Sequence, residues 1–261
     1  MKLELLTLEN LADFVAYCKK YRYEIDDSFL YDEDLINFEL SADNPTYIIT
    51  DEGGDTIAVA SLVMDDYLRK GRRARFRIFH AKLQNSNCYE ILLKAILKHT
   101  EGIDRVFIFI PLTNKDLITS IKSLHFTVER YSFVLVREDL EIADISFPKN
   151  YVIRPFRPGK DEGIWCEVRN AGFANLKGSE TPISSEMVTK MIEEKSYIEG
   201  GMMILFHGEK PVGIVRGEAD EYEGEPIMSI GPLAILPEYQ GQGLGRMLPA
   251  GLASFCKGQV V

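Results

Sequence analysis

The feature that most constrains this chain lies near its end. A β-prone run, Ile227–Leu236, passes through Pro237 into Gln240-Gly241-Gln242-Gly243-Leu244-Gly245-Arg246, and Met247, Leu248 and Leu252 then follow at helical spacing. A strand that turns over a glycine loop into a helix presents consecutive backbone N–H groups at the helix N-terminus. The macrodipole places about half a positive charge there, and glycine removes the Cβ atoms that would hold a pyrophosphate away. The expected ligand is a phosphate-rich cofactor.

Two of the usual candidates fail on spacing. A Rossmann loop needs Gly-x-Gly-x-x-Gly and an acidic residue about 20 positions on; here the third glycine comes one position early and the chain ends sixteen residues later. A nucleotide P-loop closes on Gly-Lys-Ser/Thr, and no lysine or hydroxyl residue occurs between Gly241 and Leu248. What remains is Leu233-Ala234-Ile235-Leu236-Pro237-Glu238-Tyr239-Gln240-Gly241-Gln242-Gly243-Leu244-Gly245. It resembles the acyl-CoA signature of the GNAT (GCN5-related N-acetyltransferase) family, Gln/Arg-x-x-Gly-x-Gly/Ala after an apolar strand ending near proline. Gln240, Gly243 and Gly245 fill the three defining positions, and Ile153-Arg154-Pro155 resembles a common first strand of that family.

The resemblance implies acetyl-CoA as cosubstrate. The amides of Gln240, Gly241, Gln242, Gly243, Leu244, Gly245 and Arg246 would hold its pyrophosphate. The strand end Leu233-Ala234-Ile235 would pair with the pantetheine arm through the exposed backbone of Leu233 and Ile235. An N–H at or near Leu233 would stabilise the oxyanion that forms as an amine attacks, a donor typically worth about 3 kcal/mol of barrier. The implied function is N-acetyl transfer to a primary amine of a small molecule or peptide, with no covalent enzyme intermediate. The alternative is a non-catalytic acyl-CoA-binding or regulatory protein.

The catalytic groups are less legible. Some family members use a glutamate on the fourth strand as general base, and the corresponding position here is Ser229. Glu218, Asp220, Glu221, Glu223 and Glu225 cluster between the third and fourth strands. A solvated hairpin accounts for them, but Glu218, nearest the strand, is the candidate base, acting through water. The family's general acid is a tyrosine from a segment beyond the motif helix. That helix is normally followed by a fifth strand, another helix and a final strand pair, whereas this sequence stops at Val261. The resemblance therefore implies an incomplete second copy, from a shortened chain or a change of reading frame near Arg246, and leaves the general acid unassigned. Pro249, inside the expected helix, costs about 3 kcal/mol there, and Gly251 and Gly258 weaken it further.

The same order of elements occurs twice. A strand at Leu3–Leu6 leads to a helix with Leu11, Phe14, Val15 and Cys18 on one face, capped by Thr7, and a second helical stretch, Asp34–Leu40. A hairpin follows, Tyr47–Thr50 and Ile57–Met64 about the turn Asp51–Asp55. Strand Arg75–Lys82, a helix with Leu92, Leu93, Ile96 and Leu97, a buried strand Arg105–Ile110, helix Asp116–Leu124 and strand Tyr131–Arg137 complete the first half. After a linker, Tyr151–Arg154, helices Glu162–Ala174 (Trp165, Val168) and Ser184–Glu194 (Met187, Val188, Met191, Ile192), and the hairpin Met203–Phe206 with Val212–Gly217 repeat the plan. The expected fold is α/β (α+β): two GNAT-like domains, each a mixed, mostly antiparallel sheet flanked by helices. A degenerate domain spans residues 1–140, a linker 141–150 and an acetyl-CoA-binding domain 151–261. In the first copy, Leu83–Tyr89 holds no glycine where the loop should be, so it is expected to bind no CoA; Leu124-His125-Phe126 stands where the family often has Leu-Gly-Phe.

Composition narrows the partners. Forty acidic against thirty basic residues give a formal net charge of −10, which argues against nucleic acid, since phosphate neutralisation needs a basic face. Cys18, Cys88, Cys166 and Cys256 are scattered, so neither a metal site nor a disulfide framework is expected. No apolar run approaches membrane-spanning length and no signal sequence opens the chain. The expectation is a cytoplasmic protein, with an unpaired sheet edge that invites a homo-oligomer.

Overall fold

The computed structural model describes residues 1–82, 86–137, 147–222 and 224–257, and the chain divides into two compact units, Met1–Phe133 and Val134–Val261. Most of the expected linker and the start of the glycine-free segment at Leu83 lie outside the described residues, as do Glu223, Gly258 and Val261.

Unit 1 is built on a five-stranded sheet in the order β1 (Lys2–Leu5), β2 (Thr46–Thr50), β3 (Thr56–Val63), β4 (Arg73–Ala81), β5 (Arg105–Phe107). The first four strands are antiparallel neighbours, and β5 joins β4 in parallel. Helix α1 (Leu11–Tyr21) buries Phe14, Tyr17 and Cys18, the stripe that its periodicity demands. Thr7 is not its cap: Asn10 occupies that position, and its Oδ1 accepts from the Thr7 backbone N–H at 2.7 Å. Short helices α2 (Asp32–Ile36) and α3 (Asp66–Lys70) follow. The second escaped the sequence reading, although Asp65 caps it by accepting from Leu68 N–H at 2.8 Å. Helices α4 (Ser86–Ile96) and α5 (Lys115–Ser123) complete the unit.

Two expectations for this half fail. The buried strand expected over Arg105–Ile110 is only the three residues of β5, half-buried at the sheet edge. The strand expected at Tyr131–Arg137 does not form; Val134 and Leu135 are 87% and 91% exposed. Alternating apolar residues make a strand only where a ladder partner satisfies the backbone, and none of the described strands pairs with this run. His125, by contrast, has φ of 66°, the left-handed conformation for which the family's glycine is suited.

Unit 2 carries a four-stranded antiparallel sheet, β6 (Tyr151–Pro155), β7 (Tyr197–His207), β8 (Lys210–Tyr222), β9 (Glu225–Ile235). The parallel pair that makes unit 1 mixed has no counterpart among the described residues of unit 2. Helix α6 (Glu162–Phe173) buries Trp165 and Val168 completely. Helix α7 (Ser185–Met191) is shorter than Ser184–Glu194, but Ser184 does cap it, its Oγ accepting from Met187 N–H at 3.4 Å. Helix α8 (Leu244–Lys257) runs on through Pro249 and packs Leu244, Leu248 and Leu252 into the core.

Asp161 ties α6 to β6. It is fully buried and accepts from Arg154 Nη1 at 2.7 Å, from Arg157 Nη2 at 2.9 Å and from the Arg157 backbone N–H at 2.8 Å. Burial alone would raise its carboxyl. The hydrogen bonds from Arg154 and Arg157 outweigh that and hold it well below the usual carboxylate range.

The two sheets correspond row by row. Leu5, Tyr47, Ala60 and Phe79 lie side by side across unit 1, and Pro155, Met203, Val215 and Leu233 across unit 2. Each sheet also carries a bulge close to that row, directly beyond it at Gly231–Pro232 in β9 and one pair beyond it at Arg77 in β4, where the partner strand contributes one residue fewer. A shared register with a shared irregularity is the structural form of the repeat seen in the sequence.

Candidate active site

Strand β9 ends as its register dictates. Leu236 N–H donates to Val212 O on β8 at 2.9 Å, so by strand alternation the backbone groups of Ala234 also face β8, while those of Leu233 and Ile235 face away. The side chain of Gln240 confirms the sense of the alternation: its Nε2 donates to Ile235 O at 2.9 Å. Leu233 and Ile235 thus present main-chain groups on the side of β9 that no described strand covers. The bulge at Gly231–Pro232 immediately precedes Leu233, re-aiming the strand at that point.

Past Pro237–Tyr239, one turn of 3-10 helix, the loop tightens through Gly241 and Gly243 with φ of 75° and 80°. Both conformations belong to the left-handed region, which explains why glycine stands at both. The Gln240 amide donates to Pro237 O at 3.2 Å and the Arg246 amide to Gly243 O at 3.1 Å. Those two are therefore committed internally, which leaves the amides of Gly241, Gln242, Gly243, Leu244 and Gly245 as the candidate anion donors among the seven residues of the motif. Leu244 and Gly245 open α8, where first-turn amides have no intrahelical acceptor. Arg246 is exposed beside them.

A cleft of about 450 Å³ lies along this strand end, walled on one side by Leu233, Ala234, Ile235, Pro237 and Gln240 and on the other by Ala171, Gly172, Phe173, Asn175 and Leu176. The second wall was not legible in the sequence. It is set by Asn170, whose Oδ1 accepts from Ile183 N–H at 2.9 Å while its Nδ2 donates to Ile183 O at 3.0 Å, clasping the segment after α6 back onto the helix. Arg169, buried, donates to Thr181 O at 2.5 Å and does the same one residue earlier. Gly172 falls inside the helix expected over Glu162–Ala174; a Cβ there would meet Ala234 Cβ at 3.0 Å and Ile235 O at 3.2 Å.

Glu218 lies on β8 directly opposite Ser229 on β9, and opposite Tyr197 on β7. Its Oε2 accepts from Ser196 Oγ at 3.4 Å and lies 3.2 Å from Arg216 Nη2, which itself reaches Glu194 at 2.6 Å. Burial pushes the Glu218 carboxyl up; Arg216 opposes this, and Glu194 reinforces it. The other described members of the acidic cluster, Asp220, Glu221 and Glu225, are exposed at the far end of the β8–β9 hairpin, where Tyr222 pairs with Glu225. His207 stacks on Tyr151 at 4.5 Å, and Trp165 meets Phe156 edge-on. Among the described residues no group of three or more His, Cys, Asp or Glu side chains is placed to hold a metal, and no helix is long and apolar enough to cross a membrane.

The cleft-lining strand end leads through Pro237 and Gln240 into a glycine turn and a helix N-terminus, an arrangement suited to an extended phosphate-bearing ligand. Residues 172–259 match the model of the Acetyltransferase (GNAT) family. The chain is similar to mycothiol acetyltransferases from Pseudarthrobacter chlorophenolicus (25% identity over 130 residues, 46% of this chain and 40% of that one) and Acidothermus cellulolyticus (27% over 171 residues, 60% and 51%). It spans about half or less of the length of these relatives. Across both units it shares the fold of a GCN5-related N-acetyltransferase from Sphaerobacter thermophilus, with a TM-score of 0.62 at 12% identity over 98% of this chain and 83% of that one. A tandem GNAT protein from the clavulanic acid biosynthesis pathway is also similar, with a TM-score of 0.54 at 11% identity over 97% and 85%.

Proposed function

We propose that the chain is an acetyl-CoA-dependent N-acetyltransferase whose acceptor is a primary amine of a small molecule or peptide. The observation that carries the reading is the succession of three elements: the cleft-lining strand end Leu233-Ala234-Ile235 with its outward main-chain groups, the positive-φ turn at Gly241 and Gly243, and the start of α8. The pyrophosphate would lie on the amides of Gly241, Gln242, Gly243, Leu244 and Gly245. The pantetheine arm would run along Leu233-Ala234-Ile235 as an added strand, which brings the thioester toward the bulge. The relatives named for acetyl transfer support the same reaction.

In that arrangement the amine nitrogen attacks the thioester carbonyl carbon, a C–N bond forms, and the Leu233 N–H stabilises the charge that develops on oxygen. Collapse breaks the C–S bond, and the thiolate leaves and takes up a proton. The amine loses its proton toward Glu218. At about 3.3 Å per residue the strand distance from Ser229 to Leu233 is roughly 10–13 Å, so Glu218 acts through water, as a relay base. A carboxyl raised by burial is a stronger base than an ordinary glutamate once ionised, which suits that role.

The test is release of free thiol from acetyl-CoA in the presence of a panel of primary amines, small molecules and peptides together, with N-acetylated product identified by mass. Amine-dependent release with matching product is the expected result. Binding of acetyl-CoA without thiol release from any amine would contradict the reading.

A further inference from the structure

We infer that Gly172 is the residue that opens the acetyl-CoA cleft of unit 2, and that unit 1 holds the same cleft filled by tyrosines, so that each chain takes up one acetyl-CoA. This rests on the proposed function and names the residue that sets the bore of its site.

The two units supply their own control. Helices α1 and α6 start alike, Asn10 O accepting from Phe14 N–H and Asp161 O from Trp165 N–H. Counted from those starts, Tyr21 stands where Gly172 stands. Counted along the matching sheet rows, His80 stands where Ala234 stands and Ala81 where Ile235 stands. In unit 2 the helix backbone at Gly172 comes so close to Ala234 and Ile235 that a Cβ would be in tight contact with both, and the cleft opens beside that contact. In unit 1 the Tyr21 ring stacks on His80, with centroids 4.8 Å apart and planes 30° apart. His80 is held in turn by Tyr17 Oη at 2.9 Å and by Glu24 Oε2 at 3.4 Å.

The other side of the strand is filled as well. The buried positions Cys88, Tyr89, Leu92 and Ile96 of α4 have the spacing of Leu244, Gly245, Leu248 and Leu252 of α8, so Tyr89 takes the place of Gly245. Its Oη accepts from Ala81 N–H at 3.2 Å. Lys82 N–H donates to Ile57 O as Leu236 N–H does to Val212 O, which makes Ala81 N–H the counterpart of the outward Ile235 N–H. The main-chain donor left open in unit 2 is thus taken by a tyrosine in unit 1, whose ring also packs edge-on against Phe79 at 5.1 Å. At the acceptor end the pair Val63 and Arg75 replaces Glu218 and Ser229, with Arg75 ion-paired to Asp26.

The experiment is calorimetric titration of the whole chain with acetyl-CoA, for the wild type, Gly172→Tyr and Leu176→Trp, with the melting temperature of each ligand-free protein measured alongside. Leu176 lines the mouth of the cleft, is 49% exposed and stays clear of the Gly172 contact, so its variant tests occlusion even if Gly172→Tyr does not fold. The expected result is one site per wild-type chain, with affinity at least about tenfold weaker in each folded variant. Two equivalent sites per chain, or folded variants that bind within twofold of wild type, would overturn the inference alone. A folded wild type that takes up no acetyl-CoA would overturn the functional reading beneath it.

Discussion

Glu218 on β8 faces Ser229 on β9 across the ladder, so a carboxylate from the third strand of unit 2 stands beside the position at which some GNAT enzymes carry their base on the fourth. Burial raises its pKa above the ordinary value of 4.5. A base must be ionised to act, so kcat/KM should fall as pH drops through that raised value, giving an acid limb above 4.5. Glu218→Gln should lower kcat by about 10²-fold or more and remove the limb, with little change in acetyl-CoA affinity. A pH–rate profile of both proteins checks this, and an unchanged limb in Glu218→Gln would assign the base elsewhere.

Asp161 predicts a stability effect independent of the cleft. Asp161→Asn leaves the guanidinium groups of Arg154 and Arg157 without their buried counter-ion, and loss of one partner of a buried pair costs about 3–5 kcal/mol, at the lower end here because Arg157 is half exposed. The sign with pH follows from the depressed carboxyl. Its contribution is complete above the unfolded value of 3.8 and is lost as pH falls through the lower folded value. Urea unfolding at neutral pH should show the full destabilisation, and the gap between wild type and variant should close only below pH 3.8.

Pro249 lies in α8, which continues through it to Lys257. The residue cannot donate to the carbonyl one turn earlier, that of Gly245. Pro249→Ala restores the donor and should stabilise unit 2, by up to about 3 kcal/mol. Chemical denaturation measures it; a loss of stability would mean that the ring packs better than the missing hydrogen bond costs.

Asn170 predicts a binding effect at a distance from the ligand. Asn170→Ala removes both hydrogen bonds to Ile183 and frees the wall that carries Asn175 and Leu176. The KM for acetyl-CoA should rise several-fold while kcat at saturation stays within about twofold, since the residue touches no reacting group. Steady-state kinetics with acetyl-CoA varied decides it.

What could be read in advance was local in origin. The order of strands and helices and the Gln240–Gly245 loop are written in short-range periodicity and turn chemistry, and both recur in the structure. The run Tyr131–Arg137 misled because its alternation promises a strand that only a partner could complete, and Arg105–Ile110 because only Arg105–Phe107 pair, with Arg73–Arg75 of β4, at a half-buried sheet edge. Gly172 was hidden for the opposite reason. Its meaning lies in Ala234 and Ile235, about 60 residues away in sequence, and becomes visible only when the helix is seen against the strand.

The central claim is that the loop at Gly241–Gly245 holds the phosphates of acetyl-CoA, and thermal unfolding with and without acetyl-CoA, in the wild type and in Gly243→Asp, tests it most directly. Aspartate there brings a negative charge and a Cβ into a turn with φ of 80°. At about 100 times the dissociation constant the ligand should add roughly 2.7 kcal/mol to the wild type and much less to the variant. A stabilisation that survives Gly243→Asp unchanged, or a folded wild type that acetyl-CoA does not stabilise, would contradict the account.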